Sequence, residues 1–229
     1  PNYTTINFID EVSTSSPYQW SQGGRQAAPQ TELVFSEGPR IAVIDYGTKR
    51  NILRSLSDLG CEVVVLPYSF SAEEVLGFRP DGIVLSPGPG NPELLEKGVE
   101  TVRGLIDKVP VMGVCLGQHL LALAVGAKTY KLKFGHRGGN HPVKDLETGK
   151  VYITSQNHGF AADPDSLKGT GLEVSQINLN DSTVEAVHHR SFPAMSLQYH
   201  PEACPGPLDN HNSFKKFVEV VKSTGGKQS

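Results

Sequence analysis

Cysteine, tryptophan and methionine are all scarce in this chain. It also has no apolar run near the roughly 18 residues that a membrane-crossing helix needs. The three cysteines, Cys61, Cys115 and Cys204, are too few, and odd in number, for a disulfide framework. That favours a reducing compartment, expected to be the cytoplasm, or an organelle if the source is eukaryotic. Lys and Arg total 21 against 24 Asp and Glu, a net charge of −3, so no basic excess argues for nucleic acid. No charged-then-apolar leader is visible, and neither membrane nor nucleic acid is an expected partner. HExxH and CxxC are missing, and His136, His141, His158, His188, His189 and His211 show no metal spacing, so no metal is expected. No segment repeats.

What is present is 229 residues, 38 % of them apolar, enough for one large α/β domain. The chain begins at Pro1, which reads as a fragment or a processed chain. Residues 1–38 are rich in Thr, Ser, Gln and Pro and lack a period, so they are expected to be the tail or linker of a missing N-terminal domain. Tyr18 and Trp20 are expected to pack. Residues 39–229 form the domain.

From Arg40 the texture changes. "IAVIDYG", "CEVVVLPY", "GIVLS" and "PVMGV" are short apolar runs that suit strands buried on both faces. Between them, "KRNILRSLSDLG" places Ile52, Leu53, Leu56 and Leu59 at helical spacing and stops at Gly60. "SAEEVLGF" opens with Ser71 and Glu74 at capping-box spacing, and "ELLEKGVETVRGLIDK" and "LGQHLLALAVG" read as helices. This alternation predicts an open, mostly parallel sheet with helices on both faces. After about Lys128 the runs "KVYITS", "LEVSQI", "TVEAVHH" and "AMSLQYH" are β-rich, and "SFKKFVEVVKS" is an amphipathic helix.

Three motifs bear on chemistry. Gly113-Val-Cys115-Leu-Gly117 lies between a strand and a helix, the nucleophile-elbow pattern with cysteine as nucleophile. Its glycines relieve crowding at a sharp turn, and the helix N-terminus favours a thiolate. The plain alternative is a buried structural cysteine. In "LQYHPEACPGP", His200 and Glu202 alternate, so an extended segment points both to one side and the carboxylate can orient the imidazole. The alternative is an ordinary strand-end pair. In "LSPGPGNP" proline supplies no N–H, which leaves Gly88 and Gly90 as donors. Gly88 and Leu116, the residue after the nucleophile, could then hold an oxyanion. Otherwise the segment is a Pro/Gly turn. Cys61, at a strand start, reads as packing, and nothing marks Cys204 as a nucleophile.

Together these motifs resemble the class I glutamine amidotransferases, in the same order and over residues from about 40 to 223. "KFGHRGGNHPV", "ITSQNHGFA" and "HPEACPGP" further resemble the small, glutamine-hydrolysing subunits of carbamoyl-phosphate synthetases. The resemblance implies a Cys115–His200–Glu202 triad that hydrolyses L-glutamine through a thioester. It implies substrate contacts at Gly90, Asn157, Gly159 and Phe160. It also implies that the ammonia acceptor is a synthetase large subunit, where bicarbonate, ATP and magnesium are used. No cofactor is expected in this chain, which has no GxxxxGK[ST] loop. The alternatives are an amidotransferase of the anthranilate or GMP type, a γ-glutamyl hydrolase and a non-catalytic regulatory subunit.

One departure is local. The family's elbow usually continues Cys-Leu-Gly-His-Gln, with the glutamine on the substrate. Here the order is Gln118-His119. Position 119 is four residues from Cys115 and shares its face, so an imidazole titrating near about 6.5 is expected to meet the substrate. Gln118 is the other candidate for that contact. The second departure is the absent upstream domain, which in the family adds a serine contact to glutamine.

Overall fold

Successive residues of the apolar runs point to opposite sides of one sheet, and helices cover both sides. The computed structural model describes residues 5–21, 24–27, 38–207, 209–210 and 212–225. It opens with helix α1 (Ile9–Val12) and an antiparallel pair, β1 (Tyr18–Ser21) and β2 (Gly24–Ala27). Strand and helix then alternate through β3 (Arg40–Asp45), α2 (Arg50–Asp58), β4 (Glu62–Pro67), α3 (Ala72–Gly77), β5 (Gly82–Leu85), α4 (Glu96–Leu105), β6 (Val111–Val114) and α5 (Leu116–Ala124). Five strands follow: β7 (Thr129–Asp145), β8 (Val151–Ala162), β9 (Leu172–Asn178), β10 (Val184–His189) and β11 (Ala194–Leu197). Helix α6 (Ser213–Gly225) closes the described chain.

The strand order is β2-β1-β4-β3-β5-β6-β11-β10-β9-β7-β8. The expected α/β class and β-rich second half hold, but the sheet is mixed. It is parallel only from β4 to β11, with antiparallel strands added at both ends. In β3, Ala42 and Ile44 join one core with α3, α4 and α5. Ile41 and Val43 join the other core with α2 and α6. Burial on both faces is why these runs carry no polar alternation.

Local chemistry sets most boundaries as expected. Ser71 and Glu74 form both bonds of the capping box. Gly60 takes φ +80° after α2. The expected continuous helix from Glu93 instead breaks. Pro92–Leu94 is a 3₁₀ turn capped by the Asn91 side chain, and α4 starts afresh at Glu96.

Part of the expected N-terminal tail belongs to the fold. β1 extends the sheet beside β4, and Tyr18 and Trp20 pack on the α2/α6 core. Ile9 is fully buried, and Thr14 N–H donates to Asp45 at 2.8 Å. Residues 28–37, where the linker is expected to end, lie outside the described residues, as does His211. Among the described residues no helix is long and apolar enough to cross a membrane.

Candidate active site

The ends of four parallel strands open onto one cavity of about 360 Å³. This is where ligands bind in open α/β sheets. β6 runs directly into Cys115, whose backbone takes φ +53°, a conformation rare for a side-chain-bearing residue. The Cys115 N–H is held by the Leu197 carbonyl of β11 at 2.7 Å. The flanking glycines are steric requirements. A Cβ on Gly117 would sit 2.3 Å from the Leu85 carbonyl oxygen, and one on Gly113 2.6 Å from Gly117. Cys115 is thus presented at the α5 N-terminus, as the elbow motif predicts. Of the other cysteines, Cys204 is exposed, and burial pushes the Cys61 thiol up to about 11.

His200 and Glu202 follow β11. His200 Nδ1 lies 2.8 Å from Glu202 Oε1, with both residues buried. Burial works against a charged imidazole here, but Cys115 and then Glu202 outweigh it, and His200 is pushed up to about 10. The imidazolium is therefore the resting form opposite the Cys115 sulfur. Burial also pushes the Glu202 carboxyl up, yet His200 and Lys49 hold it below the usual range. Lys49, which no motif singled out, places Nζ 3.6 Å from Glu202 Oε1 and 3.3 Å from His200 Nδ1. Its place just after a parallel strand, at the N-cap of α2, is the signal that could have found it.

Gly88 stands where only glycine fits, since a Cβ would meet the Tyr46 carbonyl oxygen at 2.2 Å. Leu116 N–H, at the first position of α5, has no intrahelical acceptor. Both residues line the cavity, as do Gly90, His119, Asn157, Gly159 and Phe160. Gln118 does not. Its amide points to β10 and β11, bonded to Val184, Ser196 and Gln198, so its expected role at the substrate is corrected. A second expectation also changes. Burial drives the His119 pKa down to about 4, so it is a neutral imidazole and does not titrate near neutrality.

Comparison with known proteins settles the family. The model for "Glutamine amidotransferase class-I" matches residues 42–220. The chain belongs to that family. Carbamoyl phosphate synthase small chains share 48 % identity in Staphylococcus saprophyticus, over 94 % of this chain and 55 % of the relative. The Bacillus caldolyticus small chain shares 56 % over 81 % and 51 %. That of Methanopyrus kandleri shares 49 % over 97 % and 58 %. The chain thus spans about half the length of the curated relatives it matches. A putative GMP synthase subunit from Thermoplasma acidophilum shares the fold, with a TM-score of 0.73 at 22 % identity, covering 85 % of this chain and 99 % of that one.

In this amidotransferase domain the wall facing Cys115 comes from the β7/β8 hairpin, which contributes Arg137 and residues 157–160. At this wall three residues on separate strands meet, one of which, His158, itself lines the cavity. His136, His158 and Glu185 each offer a ligand-type atom within 4.8 Å of the others. No sequence spacing announces this cluster, because strand pairing assembles it. Most of its polar atoms are engaged with neighbours outside the cluster. Glu185 accepts from Gln156 and Asn178, both at 2.8 Å, and His136 lies 2.8 Å from Asp181. Glu185 first, against burial, and then Asp181 raise the His136 pKa, whereas burial lowers that of His158 to about 4. The cluster brings β7, β8 and β10 together beside the cavity.

Proposed function

We propose that this chain hydrolyses the side-chain amide of L-glutamine, giving glutamate and ammonia, and that the ammonia passes to a synthetase large subunit for carbamoyl phosphate synthesis. One observation carries the hydrolytic half. Cys115 at a strained elbow and His200, bonded to Glu202 at 2.8 Å, open onto the same cavity as Gly88 and Leu116. The partner half is supported by the relatives' name, carbamoyl phosphate synthase small chain.

The chemistry follows from the geometry and from the imidazolium form of His200. The Cys115 thiolate attacks the amide carbon, and the carbonyl electron pair moves onto oxygen. The Gly88 and Leu116 N–H groups receive that oxyanion. Imidazolium His200 gives its Nε2 proton to the amide nitrogen, the C–N bond breaks, and ammonia leaves a thioester behind. Neutral His200 then takes a proton from water as it attacks. Collapse of the second oxyanion releases glutamate and restores the thiolate. Glu202 keeps the Nδ1 proton in place throughout. Asn157, Gly159, Phe160, Gly90 and His119 bound the space for the glutamine. ATP and magnesium belong to the large subunit.

A glutaminase assay with and without a preceding N-terminal domain and a large subunit tests this reading. The chain alone should be slow, because misplacing a reacting group by about 1 Å costs on the order of 10²-fold. Adding both should raise kcat/KM. Equal activity in isolation would favour a stand-alone hydrolase.

A further inference from the structure

Gln118 and Gln198 are both fully buried, and neither lines the cavity. Their amides can nevertheless be oriented. The Val184 carbonyl can only accept, so the Gln118 atom 3.4 Å from it is the NH₂ nitrogen. The same nitrogen lies 3.3 Å from Gln198, which must therefore present its oxygen. The Gln118 oxygen then faces the Ser196 hydroxyl, which donates at 3.2 Å. With its oxygen taken, Gln198 turns its NH₂ group to the Cys115 sulfur at 3.8 Å. The donors run one way, from Ser196 through Gln118 and Gln198 to Cys115.

We propose that Gln118 and Gln198 are positioning residues that hold an N–H against the Cys115 sulfur, giving the thiolate a second hydrogen-bond donor besides His200. The proposal rests on Cys115 being the nucleophile. A buried thiolate needs donors, and a neutral amide supplies one that no proton transfer can remove. The arrangement also gives the Gln118-His119 order a physical sense. An amide at position 118 has two N–H groups, one for Val184 and one for Gln198, whereas a neutral imidazole has one. A position that does not touch the substrate would thereby act on the reacting atom through Gln198.

The test is the rate at which iodoacetamide alkylates Cys115 in the 229-residue chain, read by peptide mass across the neutral pH range. Gln198→Met keeps the length and removes the donor. It should move the midpoint of the pH–rate profile up by about one unit, so that alkylation on the acid side is about tenfold slower. Gln118→Met, one bond further from the sulfur, should slow it about threefold, and Ser196→Ala about twofold. A merely structural role would lower the melting temperature and leave the midpoint where it was. An unmoved midpoint in the folded variant nearest the sulfur overturns the proposal. If wild-type Cys115 reacts no faster than Cys204, the nucleophile reading itself fails.

Discussion

The wall carrying Cys115 is made by the ends of parallel strands, and its backbone segments approach so closely that Gly88, Gly113 and Gly117 admit no Cβ. The opposite wall is an antiparallel hairpin whose strands are half exposed, with Phe134 80 % open to solvent. There a Cβ on Gly139 would meet nothing nearer than 3.8 Å, although one on Gly135, where β7 lies close to β8, would sit 2.6 Å from the His158 carbonyl oxygen. The first wall holds Cys115, the proposed nucleophile, in a strained conformation, which requires surroundings that cannot yield. The second bounds the proposed substrate space and is loosely built at its exposed edge, around Gly139. Precision of chemistry on one side and recognition on the other is the contrast that substitutions should expose.

The largest effect belongs to Cys115, the proposed nucleophile. Cys115→Ser should lower glutaminase kcat by more than about 10³-fold, while Cys61→Ser and Cys204→Ser stay near wild type. Labelling of Cys204 by a glutamine-like alkylator, at a rate comparable to Cys115, would break the assignment.

Glu202→Gln comes next. The residue orients His200 without lining the cavity, so kcat should fall on the order of 10²-fold or more, with KM little changed. An unaltered kcat would reduce Glu202 to a strand-end carboxylate.

A pair of glycine substitutions compares the walls directly. Gly88→Ala must displace the Tyr46 carbonyl and should cost about 1–3 kcal/mol of stability together with most of the activity. Gly139→Ala should stay within about 0.5 kcal/mol in urea unfolding. Equal losses at both positions would erase the distinction.

His119→Gln restores an amide to the cavity face and should lower KM for glutamine by up to about tenfold, or about 1.4 kcal/mol. Because wild-type His119 is neutral above about 4, this difference should be flat from about pH 6 to 8.5. A KM ratio that varies with pH over that range would mean that His119 titrates in the folded protein.

A further effect is on acid stability. The folded pKa values of His119 and His158, about 4, lie below the unfolded value of about 6.5. The unfolded chain therefore binds more protons in that window, and stability falls as pH drops through it and is complete above it. Each histidine adds a slope of at most about 1.4 kcal/mol per pH unit. His119→Gln should remove one such share in urea unfolding at pH 5 against pH 7, and an unchanged slope would show that His119 is not buried neutral.

The same contrast governs what could be read in advance. The first wall was legible because strands buried on both faces appear as apolar runs, and the elbow, the Pro/Gly loop and the His-Pro-Glu step are contiguous. The hairpin was only half legible. β8 shows as "KVYITS", but β7 carries Gly135, Gly138, Gly139 and Pro142, residues that read as turns, and its pairing with β8 overrides that preference. Lys49 is marked only by its place at the N-cap of α2, and nothing in the immediate neighbours of Gln198 distinguishes it from an ordinary strand-end residue.

By itself the sequence determined the parallel strands and most of the helices, the elbow and the phase of α5 that turns position 119 toward the cavity, since these depend on residues a few positions apart. Only the tertiary structure decided that His200 reaches Cys115 and that Glu185 meets two histidines. It also decided that β1 extends the sheet and that Gln118 turns from the cavity to Gln198. It alone set the His119 pKa, because desolvation is a property of everything packed around a group, and no neighbour in the chain specifies it.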